Sequence, residues 1–179
     1  TAVVVNGIGG SALGPQLLQF ALNGPYWNEL SRRSAPAVYF LDNTDPAGVA
    51  DLKTVLDFEG ALVVSISKSG GTLETRNNTT ALRAEFATRG LSFAGHAVAV
   101  TMAGSKLDKQ AREEGWLKVF PMAESIGGRT SETNIVGHVP AALAGIDFAA
   151  FLSGATHMDK QTRAPVVAAN PAYQLAVAW

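Results

Sequence analysis

The chain has 179 residues, 47% of them apolar and 16% charged, with a formal net charge of −1 at pH 7. This is material for one domain with a substantial core plus the start of a second, and it offers no basic excess to recruit nucleic acid and no acidic tail. Cysteine is absent, which removes a disulfide framework, a thiolate zinc site and a cysteine nucleophile together and fits a cytosolic enzyme.

The opening residues, TAVVVNGIGG, enter an apolar strand over Ala2–Asn6 with no basic segment ahead of it, unlike a signal peptide. A glycine-rich turn follows, then a helix over Ser11–Leu22. The next strand, Ala37–Asp42, leads to a helix over Asp45–Leu56, where Asp45 is placed to cap and Pro46 to occupy the first turn. Strand Ala61–Ile66 runs into a hydroxyl-rich turn and a long helix, Thr72–Arg89, with Gly90 as its left-handed end. Strand His96–Thr101, helix Ser105–Glu114 and strand Leu117–Met122 complete the alternation.

Strands this continuously apolar are covered on both faces, and their alternation with helices predicts a doubly wound α/β fold. It would have three layers, α/β/α, around a five-stranded parallel sheet. From Ser131 the pattern is helical throughout. A helix starting there should be kinked or divided by Pro140 and ended by Gly145, and Asn170–Pro171 reads as a further helix start. No apolar run approaches the roughly 20 residues of a membrane helix. Both ends read as interior to a longer protein.

Three turns carry the chemistry. In NGIGGSALG, Gly7, Gly9 and Ala12 match the relaxed dinucleotide fingerprint, with Asp42 at the end of the second strand, although further along than the usual spacing of about 20 residues. In SISKSGGTLET, Ser65 to Thr75, five hydroxyl residues surround Lys68 and two glycines ahead of a helix. Free N–H groups, the helix dipole and Lys68 there all favour a phosphate-type anion. The order differs from a nucleotide-binding P-loop, since the lysine precedes the glycines. In ESIGGRTSET, Gly127 and Gly128 permit close backbone approach just before Arg129, a residue suited to holding an anion or stabilising charge that develops in a reaction.

His96, His138 and His157 are far apart and lack the spacing of a metal motif, so they read as packing or surface residues. Glu74 and Glu132 are carboxylates of the right type for a base, and equally favourable first-turn acids.

Taken together, GIGGSALGP, SKSGGTLET and GGRTSETNIVGHVPAALAGID resemble, in order and separation, the first sugar-isomerase (SIS) domain of the phosphoglucose isomerase family. NPAYQLAVAW resembles the entry into that family's second domain. The resemblance implies a flavodoxin-like SIS domain over residues 1–163 and the beginning of another over 164–179. It implies an aldose–ketose isomerase acting on glucose 6-phosphate and fructose 6-phosphate without a cofactor or metal, as a cytoplasmic homodimer. Ser67, Lys68, Ser69 and Thr72 would cradle the phosphate, while Gly10, Ser11 and Gly128 would line the sugar. Arg129 would stabilise the enediolate, and Glu74 would hold a ring-opening histidine. The family's glutamate base, its histidine and a late lysine fall beyond residue 179, so this stretch alone is expected to be inactive. A sugar-phosphate-sensing regulatory module and a dinucleotide-binding oxidoreductase domain are the alternatives.

Overall fold

The computed structural model describes residues 1–179 except for the side chain of Arg129, so the guanidinium singled out above lies outside what is described. The chain divides into two compact units, Thr1–Ile146 and Asp147–Trp179. The first holds β1 (Ala2–Asn6), α1 (Gly10–Leu18), β2 (Ala37–Leu41), α2 (Pro46–Val55), β3 (Ala61–Ile66) and α3 (Leu73–Thr88). It continues with β4 (Ala97–Thr101), α4 (Lys106–Glu113), β5 (Lys118–Pro121) and α5 (Ile135–Leu143).

The strands form one parallel sheet in the order β2-β1-β3-β4-β5. From β1 the chain crosses to β2 on one side, and from β3 it proceeds to β4 and β5 on the other. The direction of winding therefore reverses between β1 and β3, and ligands of such sheets bind beyond the strand ends at that reversal. Asn6 stands opposite Ser65 in the register, so the first two of the three turns leave the sheet side by side.

All residues of β1 and β4 are buried. Because successive side chains point to opposite faces, Val4 and Val63 join one layer with Leu52, Leu82, Phe86 and Leu107 from α2, α3 and α4. Val3 and Val5 point the other way, towards the side on which α1 and α5 pack. Phe86 centres the first layer, with its ring edge-on to Phe58 at 5.1 Å and to Phe93 at 5.6 Å. Truncating a ring so enclosed costs about 3–5 kcal/mol.

Local signals set most helix ends. Asp45 accepts from the N–H groups of Ala47 and Gly48, and Gly90 and Gly145 take φ of 71° and 72° just past α3 and α5. Several boundaries differ from expectation, and the helix expected to reach Leu22 ends as α1 at Leu18, followed by a π-helical turn over Gln19–Asn23. His96 ends a 3-10 turn before β4 and does not begin the strand, because its Nδ1 pairs with the Ala61 carbonyl and its ring packs on Phe86. The stretch after Gly127 is a 3-10 turn, Gly128–Thr133, and α5 starts only at Ile135, capped by Asn134. Pro140 leaves α5 whole. It is the sixth of the nine residues, and the helix continues past it, with Ala144 N–H donating to the Pro140 carbonyl at 2.9 Å.

The second unit holds α6 (Phe148–Thr162) and α7 (Pro171–Ala178). Asn170, 1% exposed, organises the connection: its Nδ2 donates to the Thr162 and Ala164 carbonyls, and its Oδ1 accepts from Ala172 N–H. The division expected after Arg163 falls inside this unit. No described helix is long and apolar enough to cross a membrane.

Candidate functional site

The hydroxyl-rich turn is anchored from below. Ser67 N–H donates to the Val100 carbonyl at 3.1 Å, and its own carbonyl accepts from Thr101 Oγ1 at 2.6 Å. Gly70 N–H closes the turn on the Ser67 carbonyl at 3.3 Å. Gly70 has φ +66° and rests so close to the Leu107 backbone that a Cβ would collide with it, so this position requires glycine twice over.

Above this base the hydroxyls gather. Ser67 Oγ and Thr72 Oγ1 are 2.9 Å apart, and Ser69 Oγ accepts from Gly71 N–H at 3.1 Å. Thr72 is the N-cap residue of α3, yet its side chain makes no capping bond because its hydroxyl is turned to Ser67. The first N–H groups of a 16-residue helix are thus left without a side-chain cap beside two hydroxyls. Unfilled donors and the positive end of the helix dipole together favour an anion. Glu74 sits half-buried in the first turn of α3, where a carboxylate suits that dipole.

The first turn is shaped by contact. The backbones of Gly10 and Gly128 lie so close that any Cβ on Gly10 would overlap Gly128, and Ser131 Oγ donates to the Gly10 carbonyl at 2.6 Å. The Gly128 backbone therefore lies against the start of α1, on the side from which a dinucleotide pyrophosphate would approach. Asp42, the residue that would hold a ribose, accepts from Gln16 Nε2 at 2.8 Å.

Gly10, Ser11, Lys68 and Gly128 do come together, around a cavity of about 90 Å³ that also takes in Ile126 and Asn134. Ser67 and Gly70 instead line a 290 Å³ cleft on the α3–α4 side, with Arg76 and Arg83. Glu74 lines neither. A cavity of the first size is below the roughly 300–1,000 Å³ of ligand pockets in general, and Gly10 and Gly128 also border a larger one of about 540 Å³ with Leu13, Leu17 and Glu132.

Asn6 was not picked out by the sequence reading. Fully buried at the end of β1, its Nδ2 donates to the Thr75 carbonyl at 3.0 Å and to Thr79 Oγ1 at 2.9 Å, tying the base of α3 to the sheet. Its only sequence signal is an amide closing an otherwise apolar strand. Asn134 was missed too, and its position directly before the apolar start of α5 was the available clue. Partial burial holds the His138 imidazole below its ordinary pKa.

A family model described as phosphoglucose isomerase matches residues 1–178. The chain belongs to the phosphoglucose isomerase family. Among curated relatives, the glucose-6-phosphate isomerases of Trichormus variabilis and Citrifermentans bemidjiense are 50% and 51% identical to it. Both alignments include 100% of this chain but only 33% of the relative, so the chain spans about a third of their length. A crystal structure of a glucose-6-phosphate isomerase from Chlamydia trachomatis superposes with a TM-score of 0.78 at 39% identity, covering 90% of this chain and 30% of that one. A protein of Thermus thermophilus described as hypothetical gives 0.76 at 33% identity, over 92% of this chain and 38% of its own. Family membership thus agrees with the sheet order and with the three turns.

Proposed function

We propose that this chain is the sugar-phosphate-binding domain of an aldose–ketose isomerase that interconverts glucose 6-phosphate and fructose 6-phosphate. The observation that carries the reading is the Ser67–Thr72 hydroxyl pair before the uncapped start of α3, at the sheet's winding reversal. Ser67, Ser69 and Thr72 hold the phosphate with backbone N–H groups. Gly10, Ser11 and Gly128 line the sugar, where the absence of side chains on the glycines lets it approach the backbone. The reaction moves the C2 proton of the aldose to C1 through an enediol. Arg129 stabilises the negative oxygen of that intermediate, and Glu74 steadies a histidine that opens the ring.

The glutamate base and that histidine lie outside residues 1–179 in this reading, in keeping with relatives three times as long. The intact enzyme works without a cofactor as a cytoplasmic homodimer. The 179-residue chain then binds without turning over, since losing a general base or acid forfeits about 10²–10⁴-fold each. Thermal unfolding with glucose 6-phosphate and with NAD tests this. A ligand at a hundred times its Kd adds about 2.7 kcal/mol. The expected result is a rise in Tm with the sugar phosphate alone. A rise with NAD alone overturns the reading, and ordinary isomerase turnover by this chain overturns the inactivity expected of it.

A further inference from the structure

Lys68 belongs to the phosphate turn by sequence, but its ammonium goes elsewhere. Nζ donates to the Glu124 carbonyl at 2.5 Å and to the Ile126 carbonyl at 3.1 Å, two of the three bonds an ammonium can make. Those carbonyls lie in the connection between β5 and the Gly128–Thr133 turn. This connection holds itself weakly: Ile126 N–H reaches the Ala123 carbonyl at 3.4 Å, and Thr130 N–H reaches that of Gly127 at 3.3 Å. Two adjacent glycines, Gly127 and Gly128, add backbone freedom. Its external ties are stronger. Ser131 fastens it to α1 through the Gly10 carbonyl, and the charge-assisted bonds of Lys68 fasten it to the turn after β3.

We infer that Lys68 is a positioning residue, a strut that sets the Gly127–Gly128 segment bearing Arg129 at a fixed place relative to the phosphate cradle. This rests on the isomerase reading above. Its signature differs from that of a phosphate ligand, whose loss weakens phosphate binding. A strut's loss misplaces the charge-stabilising segment and leaves the cradle intact.

Three variants test it: Lys68→Met, Lys68→Arg and, as a cradle control, Ser67→Ala. In the chain extended to the length of its relatives, Lys68→Met is expected to lower kcat about 10²-fold, the effect of a misplacement near 1 Å, with KM for glucose 6-phosphate and inhibition by inorganic phosphate changed less than about threefold. Lys68→Arg, which keeps donors for both carbonyls, should recover most of kcat. Ser67→Ala should raise KM and weaken phosphate inhibition. A Lys68→Met enzyme with unchanged kcat and weakened phosphate inhibition overturns the inference.

Hydrogen exchange of this chain supplies the second arm. Amides 123–131 should exchange faster in Lys68→Met and as in the parent in Lys68→Arg. Unchanged exchange there overturns the strut. If Lys68→Met does not fold, Lys68→Gln takes its place with the same expectations. Should the unaltered enzyme neither isomerise nor respond to phosphate, the functional reading fails, and the exchange arm still decides the strut.

Discussion

The two glycine-rich turns leave neighbouring strands opposite one another, and as sequence they look alike. Their glycines act differently. Where the turn after β1 enters α1, Gly10 is present because another backbone, that of Gly128, occupies the place of its side chain, and one turn further into the helix Gly14 is pressed in the same way by Ser131 and Glu132. In the turn after β3, only Gly70 is so constrained. Gly71 meets nothing nearer than the movable Ser69 Oγ at 3.4 Å, and the remaining residues present hydroxyls. One turn is therefore a packing joint and the other an uncrowded turn lined by hydroxyls. A glycine pattern taken alone does not distinguish a phosphate loop from a place where two segments of chain touch.

The sharpest test pairs one glycine from each turn. Gly10→Ala should cost about 1–3 kcal/mol as an overpacked contact, while Gly71→Ala should stay within about 0.5 kcal/mol. Urea unfolding midpoints measure both, and equal losses would break the distinction. A smaller effect is expected from Thr72→Val, which removes the 2.9 Å bond to Ser67 and should cost about 1 kcal/mol. It should also weaken inorganic phosphate binding, read by calorimetry. Ser131→Ala, on the packing side, should lose stability without changing phosphate affinity.

The smallest effect is a response to acid. A backbone bond from Gly104 N–H, and after it the Arg112 guanidinium, hold the Asp108 carboxyl below its ordinary pKa. Hydrogen bonds from Lys53 and Arg89 do the same for Glu85. A carboxyl lowered in the folded state contributes stability above its ordinary pKa and loses it as pH falls through the lowered value. Asp108 lies beside Leu107, against which Gly70 rests. As pH falls below about 4, the ordinary carboxylate value, amides of the Ser67–Thr72 turn should therefore lose exchange protection before those around Gly10. The reverse order would show that the packing joint is the weaker of the two.

Much of the fold was legible without coordinates because helix ends and strand character depend on neighbours within about four residues. Asp45, Gly90, Gly145 and Asn170 each act through such short-range geometry, and each stands where its residue type implied. The apolar runs predicted a parallel sheet because only a sheet covered on both faces buries every residue of β1 and β4. SKSGGTLET was legible as a hydroxyl-rich turn before a helix for the same reason: hydroxyls, glycines and a helix start are consecutive in the chain.

Other features needed the folded chain. Ser131 read as a helix cap, and its hydroxyl is instead given to Gly10, 121 residues away in sequence. Lys68 read as charge for a phosphate, and its donors are held by carbonyls 56 and 58 residues further on. Asn6 gave almost no signal, because the atoms that satisfy its amide come from α3. A residue's type fixes how many hydrogen bonds it can make and how much room it needs. Which partner meets that demand depends on the strand order, which brings distant segments to the same end of the sheet.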